Sequence, residues 1–213
     1  MERGIPDATV ARLPIYRRAL LELAATDEST VSSAALAELA GVNAAKVRKD
    51  LSYIGTTGVR GVGYDLKYLL HQISEALGLD VESPVLIVGM GNLGRALAAY
   101  GGFGSRGFPI AALADSSPDK IGTVIAGMEV RDSRDLNELV HTSHIRIGII
   151  ATPGEAAQSV ADALVNAGVG SILSFAPTVL QVPDSVPLRK VDLATELQIL
   201  SYYEQRTQDN QTA

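Results

Sequence analysis

The sequence predicts an α/β protein in which a small helical domain precedes a doubly wound parallel sheet. Residues 12–80 show helical apolar spacing interrupted by one glycine-rich segment, GTTGVRGVGYD. After Ser83 the pattern changes to short apolar runs that alternate with helical stretches, which is typical of βαβ units. We therefore expect an N-terminal domain at 1–80, a sheet domain at 81–193, a last helix at 194–206 and a polar tail at 207–213.

Composition excludes several classes of function. The chain has 213 residues, is 46% hydrophobic and contains no cysteine. It therefore has no disulfide, no thiolate nucleophile and no cysteine-ligated zinc. No apolar run reaches the roughly 18 residues of a membrane span, and the N-terminus lacks the apolar core of a secretory signal. We expect a soluble, cytoplasmic protein without a membrane partner.

The charges are unevenly distributed along the chain. The formal net charge is −6, yet residues 44–63 carry a net charge of +3, because only Asp50 opposes Lys46, Arg48, Lys49 and Arg60. A small basic patch on an acidic protein favours one local phosphate contact over indiscriminate binding to nucleic acid.

Helix caps define the N-terminal domain, for which we expect helices at 15–25, 34–40, 44–54 and 64–77. Ser32 or Ser33 can cap the second of these helices, and Asn43 can cap the third. Gly41 ends the second helix, as a glycine at a C-cap commonly does.

The segment SSAALAELAGVNAAKVRKDLSYIG has the spacing of a helix-turn-helix. Small Ala37 allows the two helices to cross closely, Gly41 takes the turn conformation, and Val42 and Val47 fill the core beneath. The second helix then presents its N-terminal residues to a DNA major groove. The glycine-rich hairpin is the expected wing, and Arg60 at its tip suits a narrow minor groove. The alternative is an ordinary helical hairpin with a solvated charged face.

The candidate DNA-binding residues lie on this second helix or on the wing. Small side chains permit close approach, Arg and Lys reach guanine edges or phosphates, and Ser and Tyr suit phosphates. These residues are Ala44, Ala45, Lys46, Arg48, Lys49, Ser52, Tyr53, Arg60 and Gly61.

Apolar runs at 85–88, 109–114, 145–151 and 171–173 are the expected parallel strands, with helices at 92–103, 135–140 and 155–167 between them. The first strand leads into a Gly-x-Gly-x-x-Gly motif. Gly89 makes the tight turn, Gly91 lets a pyrophosphate approach the backbone, and Gly94 lets the helix pack on the strand. This is the pattern of a Rossmann dinucleotide site, in which the pyrophosphate lies at the helix N-terminus.

A carboxylate for the adenosine ribose follows at the expected distance. Asp115 ends the next apolar run, 21 residues after Gly94. Ser116 and Ser117 follow it rather than Arg, which favours NAD(H) over NADP(H). The candidate cofactor-binding residues are Gly89, Met90, Gly91, Asn92, Leu93, Gly94, Arg95, Asp115, Thr152, Pro153, Ala176 and Pro177.

The last four of these residues belong to two loops that follow later strands and are expected to border the nicotinamide. Ligands of open α/β sheets bind beyond the carboxyl ends of the strands. The loops are mostly apolar and offer no carboxylate to pair with the positive charge of oxidised nicotinamide. Because burying an unpaired charge is costly, we expect the pocket to favour NADH over NAD⁺.

No residue is a clear candidate for catalysis. His71, His141 and His144 fall near the linker or at a surface turn, and no Ser/Tyr–Lys pair accompanies the glycine motif. We predict no catalytic residue and no metal site, and therefore no enzyme. Two alternatives stay open. One is a small NAD-dependent oxidoreductase with a protein-interaction domain, and the other is a regulatory subunit for another adenine nucleotide, such as coenzyme A.

Five segments together give the chain a family resemblance. AKVRKDLSYIGTTGVRGVGYD, VLIVGMGNLGRALAAYGGF, ATPGEAAQ, ILSFAPTVL and VDLATELQIL resemble the Rex family of redox-sensing transcriptional repressors from about Ile5 to Gln205. The resemblance implies a homodimer with a winged-helix domain, a Rossmann domain and a C-terminal helix swapped between subunits. It also implies NAD(H) as an effector and palindromic operator DNA as a partner, bound when NADH is low and released when NADH binds.

The resemblance further implies three polar residues that couple the two domains. These are Arg18 on the first helix, Tyr100 after the phosphate-binding helix and Asp192 before the last helix. The chain carries Leu193 where some members of the family carry an aromatic residue.

Overall fold

The computed structural model describes residues 4–26 and 28–212. The chain divides into two compact units, Met1–Val81 and Glu82–Ala213.

The first unit is built mainly from helices, as the sequence predicts. Its elements are α1 (Asp7–Val10), α2 (Leu13–Ala24), β1 (Thr30–Val31), α3 (Ser33–Ala40), α4 (Ala44–Tyr53), β2 (Tyr64–Asp65) and α5 (Leu66–Ala76). The caps explain where α3, α4 and α5 begin, because the side chains of Ser32, Asn43 and Asp65 each accept a hydrogen bond from a backbone amide three residues ahead.

The expected helix-turn-helix is confirmed by α3, α4 and the turn between them. Gly41 has a φ of +65° and ends α3, so it adopts the left-handed conformation that favours glycine. Ala37, Val47 and Leu51 are buried in one apolar cluster. This cluster fixes α4 with one face inward and the other toward solvent.

The glycine-rich segment forms the predicted wing. Val59 pairs with Gly63 in an antiparallel bridge, and β1 pairs with β2 at its base. Gly63 has a φ of +100°, and a Cβ there would overlap the carbonyl oxygen of Val31. Tyr64 begins a strand and not the helix that the sequence predicts, since that strand must pair with Thr30–Val31 before α5 begins.

The second unit contains a twisted sheet with helices between its strands. The strands are β3 (Val85–Val88), β4 (Ile110–Asp115), β5 (Val124–Ile125), β6 (Met128–Asp132), β7 (Ile147–Ile150), β8 (Ser171–Ser174) and β9 (Leu188–Lys190). The helices are α6 (Asn92–Ala98), α7 (Leu136–Thr142), α8 (Gly154–Asn166) and α9 (Leu193–Thr212).

Strand order confirms the predicted doubly wound sheet. In the described part of this unit the order is β5-β6-β4-β3-β7-β8-β9, and every pairing except β5 with β6 is parallel. The chain moves outward from β3 in one direction and then returns to start again at β7. A crevice therefore opens at the carboxyl ends of β3 and β7, where dinucleotides bind in this topology.

The structure corrects several predicted boundaries in the second unit. Helix α6 ends at Ala98 and not at residue 103, because Gly101 and Gly102 follow with poor helix propensity. The sequence does not indicate β5, β6 and β9. All three strands are short, and β6 and β9 also carry charged residues among their apolar ones.

Helix α9 is longer than the predicted helix at 194–206. It starts at Leu193 and continues to Thr212, through the segment expected to be a polar tail. A polar composition does not by itself prevent a helix, and glutamine, which occurs in this segment, is a good helix former. Among the helices that the structure describes, none is long and apolar enough to cross a membrane.

Candidate functional site

The glycine motif joins β3 to α6, and each glycine has a distinct environment. Gly89 has a φ of +101°, and a Cβ there would lie 2.7 Å from the carbonyl oxygen of Ala151. A Cβ at Gly94 would overlap the carbonyl oxygen of Gly89. Around Gly91, by contrast, no described heavy atom outside its neighbours comes within 4 Å of such a Cβ. Two glycines therefore serve packing, and Gly91 leaves open space at the N-terminus of α6.

Asp115 holds this loop against the end of β4. Its carboxylate accepts hydrogen bonds from the Met90 amide at 2.6 Å, the Ser117 amide at 2.8 Å and the Lys120 ammonium at 3.0 Å. Burial raises the pKa of the Asp115 carboxyl, but these donors outweigh burial and hold the pKa below its ordinary value. Asp115 is thus an ionised group that shapes the loop, in addition to its predicted place beside the ribose.

Lys120 belongs to the candidate site through its contact with Asp115, and the sequence did not indicate it. Its ammonium pairs with Asp115, and its side chain remains about one-third exposed beside the buried carboxylate. Lys120 lies in the turn five residues after Asp115, and this short separation could have indicated it. A cation at that distance comes close to the carboxylate that is expected to bind the ribose.

A cavity of about 500 Å³ lies beyond the ends of β4 and β6. In this fold the adenosine part of a dinucleotide occupies that side of the crevice. The cavity is lined by Ser116, Pro118, Ile121, Asp132, Ser133 and Arg134. Within it the guanidinium of Arg134 binds the carboxylate of Asp132, with Nε 2.9 Å from Oδ2. The sequence did not indicate Asp132, Ser133 and Arg134 as lining residues, because it did not predict β6, at whose end they lie.

The two loops predicted to border the nicotinamide follow β7 and β8. Thr152 lies beside the glycine turn, since its methyl group would be 2.9 Å from a Cβ at Gly89. Its buried hydroxyl has no hydrogen-bond partner among the described residues. Ala176 is fully buried at the end of the next strand. The structure therefore brings Thr152 to the switch point and places Ala176–Pro177 one strand farther along the sheet.

The three histidines lie where the sequence indicates. His71 is on α5, His141 is on α7, and His144 occupies the turn before β7 with a φ of +49°. Across residues 4–26 and 28–212, no group of three or more His, Asp or Glu side chains is arranged to hold a metal ion.

Helix α4 separates its side chains into a buried and an exposed face. Val47, Asp50 and Leu51 are buried. The exposed candidates for DNA contact are Ala45, Lys46, Arg48, Lys49, Ser52 and Tyr53. Ala44 is partly buried in the first turn. Arg60 and Gly61 are exposed at the tip of the wing, where Val59 and Val62 also face solvent.

Two of the exposed polar residues on α4 already make contacts within the unit. The guanidinium of Arg48 donates to the Ser33 hydroxyl at 3.0 Å, which holds it near the start of α3. The Ser52 hydroxyl donates to the Lys49 carbonyl oxygen at 2.7 Å, so its oxygen remains free to accept. Both side chains are therefore partly pre-oriented on the exposed face.

Asp50 does not oppose the basic patch on the surface, although the charge count treats it as doing so. It is 2% exposed and binds Thr9, Arg12 and Tyr16 in the interior. The other charged residues of 44–63 are all cations. The exposed face of α4 and the wing is therefore more positive than the sequence suggests.

The three predicted coupling residues occupy different settings. Arg18 is exposed on α2. Tyr100 is half-exposed after α6, where its ring packs over Gly102 and meets Phe103 edge-on at 5.0 Å. Asp192 pairs with Lys190 at 3.1 Å and accepts hydrogen bonds from the first amides of α9. The bond from Lys190 and those amides hold the Asp192 pKa below its ordinary value.

Known families match both units of the chain. Residues 4–52 match the family described as "Putative DNA-binding protein N-terminus", and residues 80–178 match "CoA binding domain". The chain is 58% identical over 211 residues to the redox-sensing transcriptional repressor Rex of Streptomyces avermitilis, covering 99% of this chain and 84% of the relative. It is 48% identical over 198 residues to the Rex repressor of Roseiflexus sp., covering 93% and 90%.

Solved structures of a repressor called RSP have the same fold. RSP in complex with β-NAD⁺ and operator DNA superposes with a TM-score of 0.91 at 36% identity, covering 99% of this chain and 97% of that one. RSP in complex with β-NADH superposes with a TM-score of 0.86 at 36% identity, covering 98% of each chain.

Proposed function

The chain belongs to the Rex family of redox-sensing transcriptional repressors, and on that premise we propose that it senses the ratio of NADH to NAD⁺. It binds palindromic operator DNA when NADH is low and releases that DNA when NADH binds. It acts as a regulator in the cytoplasm and not as an enzyme, with NAD(H) as its effector.

The open space at Gly91 carries this proposal. Gly89 and Gly94 are closed off by packing, whereas Gly91 leaves room above the N-terminus of α6. A pyrophosphate placed there meets free backbone amides and the positive end of the helix dipole. Asn92, Leu93 and Arg95 belong to the first turn of the same helix. Asp115, with Lys120 beside it, then faces the adenosine ribose.

The apolar loops after β7 and β8 support a preference for NADH over NAD⁺. Thr152–Pro153 and Ala176–Pro177 supply no carboxylate to pair with oxidised nicotinamide. Reduced nicotinamide is neutral, so its transfer from water into an apolar pocket costs less free energy. Calorimetry is expected to show tighter binding of NADH than of NAD⁺. Comparable affinities would contradict this part of the proposal.

DNA is read by the exposed face of α4 and by the wing. Ala44 and Ala45 allow the helix to approach base edges, while Arg48 and Lys46 reach guanines or phosphates. Lys49, Ser52 and Tyr53 contact phosphates, and Arg60 with Gly61 enters the minor groove.

The exposed apolar residues of α9 support a homodimer. Leu193, Leu197, Ile199, Leu200, Tyr202 and Tyr203 are each at least 46% exposed. Apolar exposure of this extent on one helix marks a protein interface. We assign the partner as a second copy of this chain, and we propose that the two copies exchange α9. Each copy then has one domain at 1–80, a second domain at 81–193 and α9 as a separate arm. Two copies read palindromic half-sites roughly 34–36 Å apart.

Release of DNA requires NADH to prefer the geometry that cannot bind the operator. Inverting a 1:99 equilibrium needs roughly 5.5 kcal/mol of differential binding, which two cofactors per dimer share. Arg18, Tyr100 and Asp192 are the residues we assign to this coupling. In this structure Tyr100 packs over Gly102, and Asp192 pairs with Lys190.

A binding assay with three nucleotides tests the proposal. A palindromic duplex is first selected from a randomised library by the wild-type protein, and its affinity is measured with NADH, NAD⁺ or coenzyme A present. Of the three nucleotides, only NADH is expected to release the duplex. Release by coenzyme A alone would support an adenine-nucleotide regulator of another kind, and turnover of NADH with a carbonyl substrate would support an oxidoreductase.

A further inference from the structure

Asp50 lies in the middle of the DNA-reading helix α4, yet it points into the protein. It is 2% exposed, and the described residues give its carboxylate four hydrogen bonds. Oδ1 accepts from the Thr9 hydroxyl at 2.9 Å and from Arg12 Nη2 at 2.7 Å. Oδ2 accepts from Arg12 Nε at 2.6 Å and from the Tyr16 hydroxyl at 2.7 Å. Each oxygen therefore has two donors.

The donors form a cradle made of Thr9, Arg12 and Tyr16. They come from α1, from the residue before α2 and from the first turns of α2. All three are 34 to 41 residues away in sequence, so the cradle joins distant parts of the unit. The Arg12 fork is planar and binds the carboxylate in two parallel bonds, which fixes direction as well as distance.

Apolar packing alone does not fix the rotation of α4 so closely. Val47 and Leu51 are buried on the same face as Asp50, but their contacts have no preferred direction. A buried ion pair contributes little net stability compared with apolar packing, and its better-attested use is to specify one arrangement. The cradle therefore matters more for where α4 sits than for whether it folds.

Small rotations of a reading helix matter for recognition. Side-chain tips lie about 5–6 Å from a helix axis, so a rotation of about 15° moves them by about 1.5 Å. That displacement is enough to break a hydrogen bond to a base edge. Phosphate contacts made by flexible lysines tolerate it, because they depend mainly on charge.

We propose that Asp50 is a positioning residue for sequence recognition, held in register by the cradle of Thr9, Arg12 and Tyr16. It sets the rotation of α4 so that Arg48 and its neighbours meet base edges. This inference rests on the proposed DNA-binding function. It assigns specificity, and not only charge, to residues that cannot touch DNA themselves.

Conservative variants of the full-length protein test the proposal. Thr9→Val removes one hydroxyl without changing side-chain shape, and Tyr16→Phe removes another. Thr9→Ser keeps the donor and serves as the rescue variant. Ser74→Ala is the matched control, because it removes a hydrogen bond of α2 to α5 that does not involve α4. Affinities are measured for the selected duplex and for a scrambled duplex of equal composition.

Thr9→Val and Tyr16→Phe are each expected to weaken binding of the selected duplex about tenfold, the scale expected when a base-edge contact of α4 is lost. Binding of the scrambled duplex should change less than twofold, while Thr9→Ser and Ser74→Ala retain the wild-type ratio. An equal loss for both duplexes, in step with a lower Tm, would overturn the proposal, and so would unchanged discrimination. If the wild-type protein selects no duplex, the proposed function itself fails.

Discussion

The backbone amide of Met90 donates a 2.6 Å hydrogen bond to the carboxylate of Asp115. This bond ties the glycine loop after β3 to the end of β4. The residue that the sequence assigns to the ribose therefore also fixes the loop to which the glycine motif assigns the pyrophosphate. In the cofactor position that we propose, one carboxylate serves both ends of the adenosine diphosphate half.

Replacing Asp115 should separate sensing from DNA binding. Asp115→Ala removes three acceptor contacts and leaves Lys120 without its partner, so we expect NADH affinity to fall at least tenfold, by about 1.5–3 kcal/mol. The variant should still bind the operator and fail to release it at NADH concentrations that release the wild type. Asp119→Ala, which removes an exposed acid nearby, is the control. Wild-type release by Asp115→Ala would show that the cofactor assignment is wrong.

Gly91, at the open site, and Gly94, which is closely packed, should respond differently to a methyl group. At Gly91 an alanine has room and a φ of −74°, so Gly91→Ala should change Tm little and yet block the pyrophosphate. At Gly94 the methyl group would overlap the Gly89 carbonyl oxygen, so Gly94→Ala should lower stability by about 1–3 kcal/mol. Thermal melts with NADH calorimetry distinguish the two effects. A folded Gly91→Ala protein with full NADH affinity would argue against this pyrophosphate position.

Arg48 should contribute to operator binding and not to cofactor binding. Arg48→Ala removes a pre-oriented guanidinium, and a base-edge contact of this kind is worth about 1–3 kcal/mol. Operator affinity is expected to fall roughly ten- to hundredfold for each half-site by fluorescence anisotropy, at unchanged NADH affinity. Arg189→Ala, an exposed arginine on β9, should leave both affinities intact. A parallel loss of NADH affinity would indicate misfolding.

The cradle around Asp50 predicts how stability depends on pH. Burial and the hydrogen bond to Asp50 raise the pKa of Tyr16 to about 12. A raised pKa means that the stabilisation is complete below the unfolded value of about 10 and is lost as pH rises from there toward 12. The Tm of the wild type should therefore fall more between about pH 10 and 12 than that of Tyr16→Phe. An equal fall in Tm for the two proteins would contradict this assignment of the Tyr16 pKa.

The Asp50 carboxyl gives the opposite dependence in acid. Burial raises its pKa, but the bonds from Arg12, Tyr16 and Thr9 outweigh burial and leave the pKa below its ordinary value. Its stabilisation is present above about pH 4 and is lost as pH falls through the folded pKa. Thermal melts should show a steeper loss of stability below pH 4 for the wild type than for Asp50→Asn, which has no carboxyl to protonate.

Charging the exposed face of α9 should separate the proposed dimer. Each large aliphatic side chain that becomes fully buried contributes about 1.5–3 kcal/mol. Leu197→Asp combined with Leu200→Asp is expected to give a monomer by sedimentation velocity, with weaker operator binding. Gln198→Asp adds a charge without removing an apolar side chain and should stay dimeric. A monomeric wild type would contradict the assignment of the interface.

The sequence predicts those parts of the fold that have strong local signals. The strand Val85–Val88 and the start of α4 at Ala44 are found where expected, because an apolar run and an Asn43 cap define them. The hairpin β5–β6 and the edge strand β9 are missed. β6 and β9 are extended because they pair in parallel with β4 and β8, and β5 is extended because it pairs with β6 across a tight turn. Composition alone does not show these pairings.

The candidate sites show the same division. The role that we propose for Gly91 can be predicted from its motif. The Lys120 contact with Asp115 and the cavity beside β6 cannot, because they depend on how the strands align in space. Asp50 is the clearest case. A charge count places it on the surface, and only the tertiary structure shows that Thr9, Arg12 and Tyr16 enclose it.

Burial of Val47, Asp50 and Leu51 along one stripe of α4 leaves the rest of that helix free to vary. The residues that fix α4 in the unit and the exposed residues that we assign to DNA contact are separate sets on the same ten-residue helix. The DNA preference of this protein should therefore be open to redesign at Ala45, Lys46 and Arg48, which are exposed, without disturbing the scaffold. A library restricted to those three positions would retarget the repressor while keeping its response to NADH.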